Sequence, residues 1–369
     1  MKKICLIIAV SAVVALISCN TGNNAYTITG TVEGTTDEDI TVYLQNRANR
    51  QFEKLDSTVI KNGRFVFKGV QDSAVVRYLS FVIAGNQTNM NFFLENGDIK
   101  VKLIDRETIS ITGTPANDIY QAFNDEMASI DRKLITIYKA LNDSVLSDEQ
   151  IADKNRELVV LENEWLFTVK ERIRENITNV VGIHLLTSYS YCYTDYSELT
   201  TLLANVPDQF RGNQVVIGLT KLAETLNTIE IGRQFVDFAM KTPNGQPVKL
   251  SDYVGKGKVV LLDFWASWCG PCRVEMPNLI KTYEQYRNKG FEIVGVSLDK
   301  DNEAWKNGIK QLGITWPQMS DLKYWDCEGS NLYGVRSIPE TVLIDEDGVI
   351  MARGLRGEAL QNKLAEILL

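Results

Sequence analysis

The stretch Val259–Cys272 constrains the fold of this chain more than any other. It reads Val-Val-Leu-Leu-Asp-Phe-Trp-Ala-Ser-Trp-Cys-Gly-Pro-Cys, an apolar run that ends in two cysteines with two residues between them. Residues 259–264 show no polar alternation, which is typical of a strand buried on both faces of a sheet. Residues 273–289 carry apolar side chains at helical spacing, so the cysteines are expected at a turn from a strand to a helix.

That position favours redox chemistry at Cys269 and Cys272. A helix N-terminus presents unpaired N–H groups and the positive end of the helix dipole, and both stabilise a thiolate. Two further residues occupy unusual positions. Asp263 is a carboxyl inside the buried strand, where an unpaired charge is costly, and Pro277 lies inside the following helix, where a proline produces a kink.

These residues resemble the thioredoxin superfamily, in which Trp-Cys-Gly-Pro-Cys is the redox motif. The resemblance implies that Asp263 is a buried proton acceptor and that Pro277 bends the active-site helix. An extra βα unit after this helix, and Ser337-Ile338-Pro339 before the penultimate strand, resemble the TlpA/ResA group of membrane-tethered thioredoxins. This second resemblance covers residues 231–369.

The family pattern implies a catalytic set and a substrate-binding set. The catalytic set comprises Cys269 as the more exposed, attacking thiolate, Cys272 as the resolving thiol, Asp263 as the acceptor of its proton, and Pro339, whose peptide bond is cis in this family and faces the cysteines. The substrate-binding set comprises Trp268, Gly270, Pro271 and Ile338. Threonine is common after this proline, whereas this chain has Glu340, and a charge there is expected to influence which substrates are accepted.

The first residues predict export and a lipid anchor. Lys2 and Lys3 precede an uncharged run that has the length of a secretory signal and is short for a membrane span. The sequence Leu-Ile-Ser-Cys at 16–19 resembles the lipobox of bacterial lipoproteins, in which the cysteine is acylated. We therefore predict a signal peptide over 1–18, lipid on Cys19 and a polar tether over 19–25. An ordinary signal peptide with a chance cysteine is the alternative.

Residues 26–114 are predicted to form an all-β sandwich. Short alternating runs are separated by Gly, Asn and Asp, and Lys61-Asn62-Gly63-Arg64 and Glu95-Asn96-Gly97-Asp98 are hairpin signals. The region resembles an uncharacterised β-module found in envelope thioredoxin-like lipoproteins. Neither the resemblance nor the residues indicate chemistry, so a spacer or docking role is favoured over ligand binding.

Residues 115–230 have helical periodicity, and Ser147 and Gln150 stand at capping-box spacing. The fold prediction is therefore multidomain. An N-terminal all-β sandwich is followed by a central α-helical region and by a C-terminal α/β thioredoxin fold over 231–369.

Composition restricts partners and cofactors. The chain has 369 residues and a formal net charge of −8, and nucleic-acid binding depends on Lys and Arg, so no nucleic-acid partner is expected. One Cys-x-x-Cys without a second pair, and a lone histidine, His184, argue against a metal. The expected redox group is the Cys269–Cys272 disulfide itself, with no other cofactor. Three roles are open for Cys192 and Cys327. Each could be a buried packing residue, the two could form a disulfide with each other, or one could be an additional redox thiol.

The predicted function is a lipid-anchored thiol-disulfide oxidoreductase of the cell envelope, with its thioredoxin domain in the periplasm. The Gly-Pro dipeptide is that of thioredoxin, which is strongly reducing at about −270 mV, so reduction of envelope protein disulfides is favoured. Such a reductase requires electrons from a membrane thiol transporter of the DsbD/CcdA kind. The alternatives are a dedicated reductant of apocytochrome c thiols, and a lipid-anchored binding or scaffold protein with a non-catalytic thioredoxin domain.

Overall fold

The computed structural model describes residues 24–33, 40–48, 51–83, 86–103, 109–141 and 146–368. The chain divides into two units, of which one ends at Ser129 and the other begins at Ile130. The predicted signal peptide and Cys19 lie outside the described residues. Within the described ranges, no helix combines the length and the apolar character needed to cross a membrane.

The N-terminal unit contains two four-stranded sheets, with strand orders β4-β1-β7-β8 and β3-β2-β5-β6. The strands are β1 (Tyr26–Val32), β2 (Thr41–Ala48), β3 (Gln51–Val59), β4 (Arg64–Gly69), β5 (Val75–Ile83), β6 (Asn86–Leu94), β7 (Gly97–Leu103) and β8 (Ile109–Thr112). Alternate side chains of both sheets, such as Ile28, Phe67, Leu79 and Phe92, join one buried hydrophobic cluster. The predicted β-sandwich is therefore confirmed.

The two predicted hairpin turns are corners between the sheets. The turn at Asn62-Gly63 joins β3 to β4, and the turn at Glu95-Asn96 joins β6 to β7, but the joined strands belong to different sheets. Asn62 and Gly63 have φ of 51° and 69°, as a tight reversal requires. Turn chemistry therefore predicted where the chain reverses, whereas the partner of each strand is decided by which apolar face it buries.

The central region consists of α1 (Pro115–Leu141), α2 (Asp148–Asn176), α3 (Val180–Tyr189), α4 (Tyr196–Ala204) and α5 (Gln214–Thr228). The predicted capping box is present at the start of α2. The Gln150 N–H donates to Ser147 Oγ at 3.4 Å, and the Ser147 N–H donates to Gln150 Oε1 at 2.9 Å.

The C-terminal region is a five-stranded mixed sheet with helices, in the order β13-β12-β11-β14-β15. Its elements are β9 (Ala239–Lys241), β10 (Pro247–Lys249), β11 (Val259–Trp265), α6 (Gly270–Tyr286), β12 (Phe291–Ser297), α7 (Asn302–Leu312), β13 (Gln318–Met319), α8 (Glu328–Leu332), β14 (Glu340–Ile344), β15 (Ile350–Arg353) and α9 (Gly357–Ile367). β12 is parallel to β11, and β14 is antiparallel to it. The predicted thioredoxin-like α/β fold is confirmed.

Cys192 and Cys327 are both free and buried. They do not form the mutual disulfide that the sequence left open. Burial raises the pKa of Cys192 to about 11, and burial also raises the pKa of Cys327. Because the thiolate is the reactive form, both environments favour the inert packing role.

The edge strand β6 is capped by a side chain from α1. The Phe93 N–H donates to Asn117 Oδ1 at 3.0 Å, and Asn117 Nδ2 donates to the Phe93 carbonyl at 2.7 Å. Asn117 is buried. One amide side chain therefore pairs with both outward-facing peptide groups of Phe93, which an uncovered sheet edge would leave available to another chain.

We expect Asn117→Ala to destabilise the N-terminal unit by about 2–4 kcal/mol, because it leaves a buried N–H and a buried carbonyl without this partner. Hydrogen exchange read by mass spectrometry on β6 should show faster exchange of the Phe93 amide. Gln87→Ala, which removes an exposed amide from the same strand, is the matched control. Equal exchange in the two variants would contradict the capping role of Asn117.

Candidate functional site

Cys269 and Cys272 form a disulfide at the N-terminus of α6. All residues of β11 are buried, and the chain turns directly after this strand, where the Cys269 N–H donates to the Ala266 carbonyl at 3.1 Å. Cys269 is the N-cap of α6, and its Sγ accepts from the Cys272 N–H at 3.1 Å. The predicted placement of the cysteines between a strand and a helix is confirmed.

The two cysteines differ in their surroundings more than in their exposure. The exposed fractions are 4% for Cys269 and 2% for Cys272, so the expected contrast in exposure is nearly absent in the disulfide form. Trp268, Gly270 and Pro271, which flank Cys269, are all exposed. A polypeptide can therefore approach from the side of Cys269, while Cys272 lies behind it in the first turn of the helix.

The segment before β14 lies against Cys269. The Ile338–Pro339 peptide bond is cis, as the family resemblance implies, and the Ile338 carbonyl oxygen lies 3.6 Å from Cys269 Sγ. Because a disulfide sulfur carries no proton, this approach is a contact and not a hydrogen bond. The register explains it, since Phe264 near the end of β11 pairs with Glu340.

Asp263 is a buried carboxyl in the middle of the sheet, with an exposed fraction of 1%. The pKa of Asp263 is raised to about 7, chiefly by burial and in smaller part by the negative charge of Glu275, while the positive charge of Arg356 opposes the rise. Among the residues that the structure describes, none forms a hydrogen bond with its Oδ2 atom. A carboxyl with this pKa can both accept and release a proton near neutral pH.

Glu275 and Arg356 act electrostatically on this carboxyl and were not in the predicted set. Glu275 Oε1 accepts from the Gly357 N–H at 2.8 Å, and Arg356 Nη2 donates to the Pro339 carbonyl at 2.6 Å. Arg356 therefore contacts the backbone of the cis-proline, and its positive charge also lowers the pKa of Asp263. Glu275 could have been found from the sequence, because it lies three residues after Cys272 on a helix. Arg356 comes from a distant loop and carried no local signal.

Glu340 is a buried residue. Its exposed fraction is 7%, and its Oε1 lies 3.6 Å from Arg353 Nη2, which also donates to the Tyr333 carbonyl at 2.9 Å. Burial raises the pKa of Glu340, and the charges of Arg353 and Arg356 oppose that rise. The carboxylate lies inside the protein beside a guanidinium group, which leaves little of it for contact with a polypeptide. That a charge at this position influences substrate choice stays a prediction.

A buried carboxylate fixes the turn that carries the redox motif. Asp299, just beyond β12, is 1% exposed. Its Oδ2 accepts from the Ser267 N–H at 3.0 Å, and its Oδ1 accepts from the Ser267 hydroxyl at 2.6 Å. The Ser297 hydroxyl also donates to Asp299 Oδ2 at 2.8 Å. The backbone immediately before Trp268 and Cys269 is therefore held by the neighbouring strand.

Two family models match the chain. Residues 231–353 match the AhpC/TSA family. Residues 26–120 match a domain of unknown function, DUF4369, whose description assigns no role to the β-sandwich.

Curated relatives and solved structures match a little over a third of the chain. The thiol-disulfide oxidoreductase ResA of Bacillus thuringiensis subsp. konkukian is 36% identical over 140 residues, which are 38% of this chain and 78% of that protein. The thioredoxin-like protein YneN of Bacillus subtilis is 38% identical over 125 residues, 33% of this chain and 69% of that protein. A solved thioredoxin domain of a thiol-disulfide oxidoreductase from Bacteroides vulgatus is 35% identical, and the match covers 38% of this chain and 99% of that one with a TM-score of 0.36.

We expect Asp263→Asn to change the pH dependence of stability. Because the pKa of this carboxyl is raised in the folded protein from 3.8 to about 7, the wild-type free energy of unfolding falls as pH rises through this window, and the loss is complete above it. Asparagine does not ionise, so this fall in the free energy of unfolding is absent from the variant. The stability of the variant relative to the wild type should increase by about 2–3 kcal/mol between pH 5 and pH 8.

Urea unfolding at several pH values measures this difference. Asp347→Asn, in an exposed turn, controls for the loss of one carboxylate. Parallel stability curves for Asp263→Asn and the wild type would show that the carboxyl has no raised pKa.

Proposed function

Because the chain belongs, through its C-terminal domain, to the ResA-like thiol-disulfide oxidoreductases, we propose that Cys269 and Cys272 are its redox pair and that it reduces disulfides of cell-envelope proteins. The observation that carries this proposal is the Cys269–Cys272 disulfide at the N-terminus of α6, with the Ile338 carbonyl 3.6 Å from Cys269 Sγ. This arrangement supports the proposal because it places one sulfur at a helix N-terminus, a second sulfur within reach of it, and an adjacent stretch of backbone beside the first.

The reaction begins when the Cys269 thiolate attacks one sulfur of a substrate disulfide. A bond forms between Cys269 Sγ and that sulfur, the substrate S–S bond breaks, and the second substrate sulfur leaves as a thiolate that takes a proton from solvent. The exposed Trp268, Gly270 and Pro271 admit the substrate at this step. The cis-proline segment, held by Arg356, borders the bond that forms.

Cys272 then resolves the mixed disulfide. Asp263, with its pKa of about 7, accepts the proton of Cys272, and the resulting thiolate attacks Cys269 Sγ. The bond between Cys269 Sγ and the first substrate sulfur breaks, and that sulfur leaves as a thiolate that takes a proton. Two electrons have passed from the protein dithiol to the substrate, and the protein ends as the disulfide.

The reduction potential matters more to this function than the speed of attack. Lowering the thiol pKa from about 8.5 to about 7 would raise the thiolate fraction at pH 7 roughly sixteen-fold. Nucleophilicity would fall about five-fold over the same change, so the rate would gain only about three-fold. Stabilising the reduced form, by contrast, acts on the reduction potential. Each stabilisation of about 1.4 kcal/mol raises that potential by about 30 mV.

The proposed location is the cell envelope, with lipid on Cys19 and the thioredoxin domain in the periplasm. Each turnover leaves Cys269 and Cys272 oxidised, and an oxidising compartment does not reduce them again. The proposed electron donor is therefore a membrane thiol transporter of the DsbD/CcdA kind, and the proposed substrates are envelope proteins that contain disulfides.

We expect the soluble fragment 20–369 to reduce insulin with a thiol donor and Cys269→Ser to abolish this activity, because the attacking sulfur is lost. Turbidity of the released insulin chain measures the reaction. Cys192→Ser, which replaces a buried free thiol, is the matched control and should retain activity. An inactive wild type with every thiol donor would favour the scaffold function.

In cells, Cys272→Ser should hold substrates as mixed disulfides on Cys269, since the resolving thiol is absent. Mass spectrometry of the captured proteins would distinguish apocytochrome c from a broader set of envelope substrates. If the variant is expressed normally and captures no protein, both the general reductase function and the apocytochrome c function would be contradicted.

The midpoint potential of the Cys269/Cys272 pair should be more negative than about −150 mV, because its Gly-Pro dipeptide is that of strongly reducing thioredoxin. Equilibration with glutathione or dithiothreitol redox buffers at pH 7, followed by thiol labelling, gives this value. A more positive midpoint would favour an oxidase or isomerase over a reductase.

A further inference from the structure

Three aromatic side chains form a surface cluster beside Cys269, in which Trp268 and Tyr324 are exposed and Trp325 is half-buried. The ring centroid of Trp268 lies 5.1 Å from that of Tyr324 and 6.2 Å from that of Trp325, and the Tyr324 and Trp325 centroids are 6.0 Å apart. Trp268 directly precedes the attacking cysteine, whereas Tyr324 and Trp325 come from the loop between β13 and α8. We call Trp268, Tyr324 and Trp325 the aromatic cluster.

The aromatic cluster is not part of the hydrophobic core. The exposed fractions are 46% for Trp268 and 40% for Tyr324, whereas Trp265 and Trp305 in the same region are 0% and 1% exposed. Aromatic rings that serve only the core are buried, since their contribution comes from the apolar area removed from water. The cluster leaves a large part of that area in water, directly beside the redox disulfide.

The loop presents these rings in an unfavourable backbone conformation. Leu322 and Tyr324 have φ of 58° and 59°, and the only other non-glycine residue with positive φ in the described ranges is Asn62. Asparagine tolerates this region, whereas leucine and tyrosine rarely adopt it. Strained residues of this kind persist where the surrounding structure holds them, and they concentrate at binding and catalytic sites.

Hydrogen bonds hold the loop in place. The Asp321 carboxylate accepts from the N–H groups of Lys323 and Glu328 at 3.1 and 3.0 Å, and Ser320 Oγ accepts from the Leu322 N–H at 3.0 Å. The rings are therefore presented by a fixed backbone, and a ligand would not have to order it. Pre-ordering of this kind lowers the entropic cost of binding.

We propose that the aromatic cluster binds an aromatic side chain of the substrate polypeptide, close to the cysteine whose sulfur Cys269 attacks. Trp268 adjoins Cys269, and consecutive residues are about 3.8 Å apart, so the bound side chain lies within roughly three residues of that cysteine. Lys300 Nζ lies 5.9 Å from the centroid of the Tyr324 ring, and this charge disfavours a lysine or arginine as the occupant. The proposal rests on the reductase function and names the feature that selects its substrates.

The test uses two disulfide-linked peptides that differ only in a tyrosine or a serine beside the target cysteine. The reduced wild-type protein should reduce the tyrosine peptide with about tenfold higher kcat/KM, because edge-to-face or stacked contacts with rings are lost in the serine peptide. The double variant Tyr324→Ala/Trp325→Ala should lose this preference, so that its kcat/KM values for the two peptides agree within about twofold. Phe167→Ala, which removes an exposed ring from α2, is the matched control.

Each outcome separates the binding role from other roles. Tyr324→Phe/Trp325→Phe should retain the preference, because rings and not polar atoms make the contact. No preference in the wild type, or an unchanged preference in the double alanine variant, would overturn the proposal. Equal slowing of both peptides with a shifted midpoint potential would also overturn it, since the loop would then act on the dithiol. A wild type that reduces neither peptide nor insulin would instead refute the reductase function.

Discussion

The register between β11 and its two neighbours is the constraint on which the site depends. Phe264 pairs with Glu340 of β14, and Trp265 pairs with Ser297 of β12. These pairings bring the cis-proline segment and Asp299 to the end of β11 at which the redox motif begins. A shift of one residue in either pairing would turn every side chain of that strand to the opposite face. The burial of β11 on both faces therefore determines where the redox motif lies as well as how the core packs.

Asp263, Glu275 and Arg356 act on one another electrostatically, although only Asp263 is fully buried. Burial disfavours the ionised form of Asp263, and the negative charge of Glu275 acts in the same direction, whereas Arg356 favours ionisation. Arg356 also donates to the Pro339 carbonyl. The guanidinium that contacts the cis-proline thus also lowers the pKa of the Asp263 carboxyl, which we propose accepts the proton of Cys272. Loss of the Arg356 guanidinium would alter the position of the cis-proline segment and the pKa of Asp263 together. A double-mutant cycle would be needed to separate the two effects.

The sequence was most informative where a local pattern determines a local structure. The buried run of β11, the helix after Cys272 and the Ser147 capping box follow from residue periodicity and end groups, and the structure has all three. Strand pairing in the β-sandwich is a long-range property. Asn62-Gly63 therefore indicated where the chain reverses but not which strands pair with β3 and β4. Arg356 reaches the site from a loop 17 residues beyond Pro339, and no spacing rule connects them.

The aromatic cluster and the redox motif are held by the same end of β12. The Ser320 hydroxyl, in the loop of Tyr324 and Trp325, donates to the Ser297 carbonyl at 2.8 Å. The Ser297 hydroxyl donates to Asp299, which in turn accepts from both the backbone and the hydroxyl of Ser267. Trp268 follows Ser267, so a continuous set of hydrogen bonds, buried at Ser297 and partly buried at Ser267, links the surface loop to the redox motif. Under the proposed function, the aromatic cluster would select a polypeptide at a defined distance from Cys269, and Asp263 would accept the proton of Cys272. Because these are different residues, we expect substrate choice and proton transfer to change independently.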